Sequence, residues 1–373
     1  MAISTNHQLQ PVAAGRPKSS ARLGYLDWMR GFATLVMLQG HVFHSFTGRE
    51  WRDGSIYQLT QFVGGMPPAI FLFLTGITMA FLMDSAERKG FPARQRWLKA
   101  LRRSGYLFAL AYAFRFQMWL FGQPSSPWTD LFKVDILNCM GVGLALVSVM
   151  TAFSTRDRAR LSAFLGIGIA VLSPLVSALD WSGAPQFVKA HLAPDYNLFS
   201  LFPWVSFLAF GVSAGSMLRV CAADRHERLM EWLALAGFGL ILASQYAANL
   251  PYSIYQRSEF WLDSPALIFI KLGLILLLLA FSFAWNRFVI PDRWNWLRQF
   301  GTTSLLVYWI HIELVYGRWF WSWKENLSIT QAAVAAVVTI LLMLGLSLLQ
   351  THREQVRSWL ASVAWPPAAV QED

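Results

Sequence analysis

Long apolar runs constrain the fold of this chain more than any other feature. About ten stretches are long enough to cross a bilayer, and short polar or basic segments separate them. They occupy approximately residues 26–46, 62–83, 104–121, 134–152, 161–180, 199–219, 229–249, 264–284, 300–320 and 329–350. With 55% hydrophobic and only 14% charged residues, the chain lies outside the range of soluble globular domains. We therefore predict an all-α, polytopic membrane helix bundle of about ten transmembrane helices within a lipid bilayer.

Basic residues are concentrated in alternate connections between these runs. Those after the second, fourth and sixth runs hold Arg88, Lys89, Arg94, Arg96, Lys99, Arg102 and Arg103, then Arg156, Arg158 and Arg160, then Arg225 and Arg228. The intervening segments 122–133 and 181–198 are poor in basic residues. The positive-inside rule then places both termini in the cytoplasm, and it explains the net charge of +10 without a nucleic-acid partner.

The two ends of the chain are more polar than its middle. We predict residues 1–22 as a disordered cytoplasmic tail, residues 23–352 as the membrane domain and residues 353–373 as a cytoplasmic C-terminal tail. Cys139 and Cys221 fall in different segments on opposite sides of the predicted bilayer. We therefore expect no disulfide between them and no metal cluster.

The first run carries polar groups where an apolar helix is expected. Asp27 and Arg30 lie three residues apart near its cytoplasmic end, and His41 lies eleven positions beyond Arg30. At about 1.5 Å per helical residue, Arg30 and His41 are separated by roughly 16 Å, about half of a hydrocarbon core. Such groups are costly in a membrane and indicate function by default. The alternatives are an interfacial Asp27–Arg30 ion pair and a structural hydrogen bond of His41.

Polar groups from four other runs reach the same outer half of the bilayer. They are Arg115, Gln117, Asp135, Lys271, His311 and Glu313. A convergence of acid, base and imidazole from separate helices is typical of a buried polar site in a bundle. The alternative is that Arg115 pairs with Asp135 or Glu313 only to hold helices together.

The first run resembles the opening helix of the membrane-bound acyltransferases of type 3. Their signature is an arginine, ten intervening residues and a histidine, and Arg30 and His41 have this spacing. Other segments resemble bacterial proteins similar to heparan-alpha-glucosaminide N-acetyltransferase, over roughly residues 22–320. These segments are residues 68–76 in the second run, 135–137 with Gly141 in the fourth, Pro203-Trp204 with Gly211 in the sixth and 304–311 in the ninth.

One feature departs from that second resemblance. In heparan-alpha-glucosaminide N-acetyltransferase, a lysosomal enzyme, the active histidine lies in the loop after the first helix. The corresponding loop of this chain, residues 47–61, contains no histidine. The catalytic role therefore carries over only from the type 3 motif, onto His41.

The resemblance implies an integral membrane acyltransferase of the bacterial cytoplasmic (inner) membrane. It would move an acyl group, expected to be acetyl, from cytoplasmic acyl-CoA to an extracytoplasmic acceptor, a glycan hydroxyl or amine. His41 is the candidate general base or transient acyl carrier. Arg30 would orient the donor, while Asp135 and His311 would orient His41 or the acceptor. No metal is expected.

Acyl-CoA is anionic and cytoplasmic, so its phosphates require positive charge on that side of the membrane. The candidates for binding it are Arg30, Arg94, Arg96, Arg102 and Arg103. The positive-inside rule also explains the last four without a ligand. Because the donor is inside and His41 lies in the outer half, the acyl group or the pantetheine arm has to enter a channel through the bundle.

Two other functions stay open at this point. A proton-coupled secondary transporter would use His41, Asp135, His311 and Glu313 as a proton relay. A scaffold subunit would retain a degenerate site without activity. Proton-driven uptake or efflux without a CoA requirement would distinguish the transporter from an acyltransferase.

Overall fold

The computed structural model describes residues 23–289 and 294–353. Its α-helices are α1 (Gly24–Phe46), α2 (Ser55–Gly64), α3 (Pro67–Arg88), α4 (Ala93–Phe121), α5 (Ile136–Val147), α6 (Thr155–Ser177), α7 (Gln186–Leu192), α8 (Leu201–Val220), α9 (His226–Ala248), α10 (Pro265–Phe288), α11 (Trp296–Tyr316) and α12 (Ile329–Thr351). Over the described ranges the only strand-like pairing is an isolated bridge between Thr47 and Leu327. The prediction of an all-α fold is confirmed. The predicted tail 1–22 lies outside the described residues, as does the predicted tail 353–373 beyond its first residue.

Seven helical segments of the described chain are long and apolar enough to cross a membrane, which indicates a multi-pass membrane protein. They are Ser55–Arg88, Trp128–Ala152, Thr155–Ser177, Leu201–Val220, Ala223–Ala248, Pro265–Phe288 and Ile329–Thr351. Helices α1, α4 and α11 correspond to the other three predicted runs. They are not among the seven segments because their polar groups make them less apolar. The total of about ten spans and the cytoplasmic position of the termini stay predictions.

Two predicted runs differ from the helices that form. The second run begins within α2, and the chain then turns at Gly65 and Met66 before α3. Pro67 and Pro68 open α3, where the missing backbone N–H of proline has no cost because the first turn needs no donor. The third run belongs to the longer helix α4, whose first turns include the basic segment that the sequence assigned to a connection.

Helices α1 and α11 run parallel and touch through two glycines. A Cβ added at Gly31 would lie 1.7 Å from the carbonyl oxygen of Leu297, and one at Gly301 would lie 1.8 Å from that of Asp27. Only glycine permits this approach of two backbones. The pair α1–α11 therefore has one fixed register.

A second close pair, α3 and α8, forms the centre of the hydrophobic core. A Cβ at Gly76 would lie 2.1 Å from the carbonyl oxygen of Leu208, and one at Gly211 would lie 2.0 Å from that of Phe73. Phe73 and Phe207 are almost completely buried between these helices. Helices α1, α4 and α5 pack against this apolar pair, whereas α11 packs on α1 and α12.

The bundle has two ends of different character. The basic end holds the start of α1, the end of α3 and the start of α4, including Arg88, Arg94 and Arg96. The opposite end holds the end of α1, the end of α11 and the segment before α12. There, Glu325 and Leu327 donate backbone hydrogen bonds to the last residues of α1, Ser45 and Phe46.

Candidate functional site

His41 of α1 and His311 of α11 form a hydrogen-bonded pair. Nδ1 of His41 lies 2.9 Å from Nε2 of His311, and the two rings are inclined by only 12°. One turn further, Ser45 Oγ donates to the carbonyl oxygen of Val315 at 2.8 Å. Both contacts join residues 270 positions apart, so α1 and α11 keep one register from the glycines to the histidines. His311 is completely buried, whereas His41 retains some exposure.

The hydrogen bonds determine which ring nitrogens carry protons. Nδ1 of His311 lies 2.8 Å from the carbonyl oxygen of Val307, which only accepts, so this nitrogen carries a proton. In a neutral ring Nε2 of His311 is then an acceptor, and His41 donates to it through Nδ1–H. The remaining nitrogen of neutral His41, Nε2, therefore has a free lone pair. That lone pair can take a proton or attack a carbonyl carbon.

Two tyrosines lie on either side of the histidine pair. The ring of Tyr308 is centred 5.9 Å from that of His311, and the ring of Tyr316 is centred 5.3 Å from that of His41. The hydroxyl of Tyr316 also lies 3.1 Å from Nδ1 of His44. Each tyrosine lines a different cavity, so His311 lies between the two cavities along α11, although in the described chain neither histidine of the pair lines a cavity itself.

The basic-end cavity has a volume of about 800 Å³ and reaches Tyr308. Helices α1, α3, α4, α5, α11 and α12 contribute to its walls. Arg30 and Arg103 supply its positive charge, and threonine and serine side chains such as Thr75 and Ser304 supply hydroxyls. This cavity has the size and the mixed polarity of a small-molecule site.

The opposite-end cavity has a volume of about 350 Å³ and reaches Tyr316. It is lined mainly by the ends of α4 and α11 and by the segments that follow them. Its polar and aromatic side chains are Arg115, Trp119, Phe121, Ser126, Asp130, Lys133, Glu313, Tyr316, Arg318 and Lys324. The cavity is therefore much more polar than the bundle around it.

The predicted donor-binding arginines lie in different environments. Arg30 forms the anticipated ion pair with Asp27, with Nη1 3.1 Å from Oδ1, and it also lines the basic-end cavity beside Arg103. Arg96 instead lies 3.6 Å from Glu87, which also pairs with the completely buried Arg158. The side chains of Arg94, Arg102 and Arg103 are exposed, and of these three only Arg103 lines the cavity. The structure thus brings Arg30 and Arg103 together at the cavity and leaves the other three elsewhere.

Asp135 has a structural environment. Its buried carboxylate caps the start of α5 by accepting from the backbone N–H groups of Leu137 and Asn138, at 2.9 and 3.1 Å. Nε of Arg115 lies 3.1 Å from its other oxygen. These contacts match the alternative prediction, in which the Arg115–Asp135 ion pair only holds two helices together, here α4 and α5. In the described chain the carboxylate of Asp135 makes no hydrogen bond to His41 or His311.

Two other predicted polar groups have separate positions. Nζ of Lys271 lies 3.4 Å from the carbonyl oxygen of Gly65 and over the ring of Trp204, at the break between α2 and α3. Glu313 is buried at the opposite-end cavity, two residues beyond His311. Lys271 therefore does not join the histidines, whereas Glu313 lies on the far side of them.

Sequence reasoning missed Tyr316 and the two glycines that bring the histidines together. A signal for the glycines was present, since Gly31 precedes His41 by ten residues and Gly301 precedes His311 by the same number. An equal glycine-to-histidine spacing in two apolar runs is expected where two parallel helices contact each other at the glycines and form a hydrogen bond between the histidines. No comparable signal points to Tyr316.

A family model described as an acyltransferase domain matches residues 23–348. No curated protein shows significant similarity to the chain. The narrower resemblance to heparan-alpha-glucosaminide N-acetyltransferase stays a prediction. The match includes both histidines, the opposite-end cavity and all lining residues of the basic-end cavity except Gln350 and Thr351, and the chain therefore belongs to the acyltransferase 3 family of membrane acyltransferases.

Proposed function

We propose that this protein transfers an acyl group, expected to be acetyl, from acyl-CoA at the basic end to a glycan hydroxyl or amine at the opposite end. The observation that carries the proposal is the position of His41, whose free Nε2 belongs to a histidine pair between two cavities. By the positive-inside rule the basic end faces the cytoplasm, where acyl-CoA is made. The membrane is then the cytoplasmic (inner) membrane of a bacterium, and the acceptor is extracytoplasmic.

The basic-end cavity supports the donor half of the reaction. Arg30 and Arg103 provide guanidinium groups for phosphates, which arginine binds with two parallel hydrogen bonds. Thr75 and Ser304 provide hydroxyls for the amide groups of a pantetheine arm. The cavity extends to Tyr308, next to His311, so an arm that enters from the basic end brings its thioester toward the histidines.

The acid–base chemistry follows from the proton positions in the pair. As the acceptor attacks the thioester carbon, its proton moves to Nε2 of His41, a C–O or C–N bond forms and the C–S bond breaks. The imidazolium that results keeps donating through Nδ1–H to His311, which stabilises its charge. His41 then returns the proton to the departing thiolate. His311 acts as a positioning residue because its own proton is held by Val307.

The same lone pair of His41 also permits an acyl-histidine intermediate. In that case Nε2 attacks the thioester, CoA leaves first and the acceptor takes the acyl group in a second step. A rapid release of CoA equal to the amount of protein, in the absence of acceptor, would indicate this two-step route. A release that requires acceptor would indicate direct transfer.

Titration calorimetry with CoA, followed by acetyl-CoA turnover by purified protein in detergent, tests the proposal. We expect saturable CoA binding and turnover that depends on His41. A flat isotherm together with proton-gradient-driven transport in proteoliposomes without CoA would contradict the proposal and support the transporter.

A further inference from the structure

Tyr308 presents an unpartnered hydroxyl to the inner end of the basic-end cavity. Its side chain lies deep in the bundle but is partly exposed, and it lines that cavity. Within residues 23–289 and 294–353 its hydroxyl makes no hydrogen bond. The hydroxyl of Tyr316, on the other side of the histidine pair, instead lies 3.1 Å from Nδ1 of His44. Of the two tyrosines beside the pair, Tyr308 therefore has the donor that is available to a ligand.

The ring that carries this hydroxyl is held in place by its neighbours. It is centred 5.9 Å from the ring of His311, inclined by 69°, and 5.5 Å from the ring of Phe114. Phe114 is almost completely buried, and Tyr308 lies one turn of α11 before His311. The hydroxyl thus has a fixed position beside the histidine pair, as a preorganised hydrogen-bond donor requires.

Most other uncharged polar side chains of the cavity already donate within the protein. They are Thr75, Thr78, Gln299, Thr302, Thr303 and Thr351. Over the described ranges, Ser304 and Gln350 are the only other uncharged polar side chains of this cavity that make no hydrogen bond. Ser304 lies seven residues before His311, about 10 Å along the helix, and Gln350 is exposed near the end of α12. Tyr308 therefore carries the free uncharged donor that lies nearest to the histidines.

Acyl transfer creates a negative charge that the neutral histidine pair cannot stabilise by a hydrogen bond. Attack on a thioester moves the carbonyl electrons onto the oxygen, and a donor aimed at this oxyanion usually makes the largest electrostatic contribution to such a reaction. Nδ1–H of His41 donates to His311, and Nδ1–H of His311 donates to Val307, so both N–H groups are occupied. A phenol keeps its proton at neutral pH and can donate it in a hydrogen bond. Tyr308 supplies the donor that the histidines lack.

We propose that Tyr308 is a catalytic residue of the acyl transfer, whose hydroxyl donates a hydrogen bond to the thioester carbonyl oxygen as the acceptor attacks. This assignment rests on the function proposed above. As the new C–O or C–N bond forms, the proton of the acceptor moves to Nε2 of His41 and the carbonyl electrons move to the oxygen beside Tyr308. These electrons re-form the carbonyl as the C–S bond breaks, and His41 returns the proton to the thiolate. The phenol keeps its own proton throughout. The thioester carbon and the attacking atom lie between the two side chains, so Tyr308 does not have to contact His41.

Tyr308→Phe tests the assignment, because it removes the hydroxyl and keeps the ring that packs on Phe114 and His311. We expect kcat for acetyl-CoA turnover with a glycoside acceptor to fall roughly 100-fold or more, the usual loss when one oxyanion donor is removed. The KM for acetyl-CoA is expected to stay within threefold of the wild-type value. CoA binding by calorimetry is expected to be unchanged, which also reports that the variant is folded.

Tyr25→Phe is the matched control. The hydroxyl of Tyr25 also has no hydrogen-bond partner in the described chain, but it is buried and Tyr25 lines neither cavity. Its ring packs edge-on against Phe283 and is kept in the variant. The kcat of Tyr25→Phe is expected to stay within twofold of the wild-type value.

A second measurement separates an oxyanion donor from a residue that only positions His311. A trifluoromethyl ketone analogue of acetyl-CoA is hydrated in water, so its tetrahedral carbon carries oxygens like those of the intermediate. We expect Tyr308→Phe to bind this analogue at least tenfold more weakly than the wild-type protein does, and to bind CoA equally well.

Three results would overturn the role of Tyr308 and leave acyl transfer itself intact: a kcat of Tyr308→Phe within threefold of wild type, an equal loss of kcat in Tyr25→Phe, or equal affinity of wild type and Tyr308→Phe for the ketone analogue. A wild-type protein that neither bound CoA nor turned over acetyl-CoA would overturn the function proposed above, and this assignment with it.

Discussion

Nδ1 of His41 and Nε2 of His311 are 2.9 Å apart because two parallel helices are held in one register by glycines ten residues earlier. The same offset of 270 residues joins Ser45 to Val315. The position of the reactive nitrogen thus depends on backbone contacts about three turns away. Predictions about activity and predictions about helix packing are linked through this pair.

Replacing His311 removes the acceptor that holds the ring of His41. We expect His311→Gln to lower kcat roughly 100-fold, the usual scale for a general base with its support removed, and to leave KM within threefold. Steady-state acetyl-CoA turnover measures both. His226→Gln, at the start of α9, is the control. A kcat near that of the wild-type protein would mean that the pair is structural.

Replacing Gly31 separates α1 from α11. Since an added Cβ would lie 1.7 Å from a backbone oxygen, we expect Gly31→Ala to lower the free energy of unfolding by about 1–3 kcal/mol or more and to lower kcat. Gly345→Ala in α12 is the control, because its Cβ would meet no atom within 4 Å. It is expected to be neutral or stabilising by about 0.5–1 kcal/mol. Equal melting temperatures for the two variants in detergent would refute the close contact.

Replacing Arg103 removes a guanidinium from the basic-end cavity. Because hydrogen bonds to charged groups contribute about 1.5–3 kcal/mol, we expect Arg103→Ala to weaken CoA binding about tenfold or more by calorimetry. Arg94→Ala, an exposed arginine of the same helix outside the cavity, is expected to bind CoA as the wild-type protein does. If the affinity for CoA falls by the same factor in both variants, CoA binds through the general positive charge of the basic end and the cavity is not its specific site.

Replacing Asp135 separates a structural role from a catalytic one. Asp135→Asn keeps a side chain that caps α5 but removes the charge that faces Arg115. Because Arg115 is partly exposed, we expect a loss of roughly 2 kcal/mol of stability, less than for a fully buried pair. Activity should then fall only with the folded fraction. An intact melting temperature with a 100-fold lower kcat would indicate a catalytic role.

Glu325, which lies outside the membrane-spanning helices, is expected to make the stability of the protein depend on pH. The hydrogen bond from Arg49, together with the charge of Arg52, holds the pKa of Glu325 below its usual range. A lowered carboxyl pKa contributes stability above the ordinary value of about 4.3 and loses it as the pH falls through the lowered value. We expect the melting temperatures of wild type and Glu325→Gln to differ at pH 6 and to converge toward pH 3. A constant difference would contradict this ion pair.

Sequence reasoning predicted the helical fold and offered His311 as a residue that orients His41, but it did not predict the glycine contacts that hold the two helices together. Periodicity and length locate a helix, and the spacing of Arg30 and His41 indicates an activity. Neither reports the register between helices that are 270 residues apart. That register depends on Gly31 and Gly301 meeting backbone oxygens, which is a property of two surfaces together.

The polar groups of three helices also explain why the number of membrane spans was harder to predict than the positions of the helices. Helices α1, α4 and α11 carry His41, Arg115 and Glu313, so the residues that make the site lower the hydropathy of the helices that hold it. Depth along the chain placed Asp135 at the level of the histidines. Its pairing with Arg115 was one of the alternatives that the sequence left open, whereas its capping role in α5 became visible only with the fold.

Acetyl-CoA turnover by purified His41→Ala tests the central claim most directly. The wild-type protein is expected to release CoA from acetyl-CoA in the presence of a glycoside acceptor, and His41→Ala to lose at least 100-fold of this rate at equal protein level and equal CoA binding. A variant that turned over acetyl-CoA within threefold of the wild-type rate would contradict the assignment of His41 as the base or acyl carrier.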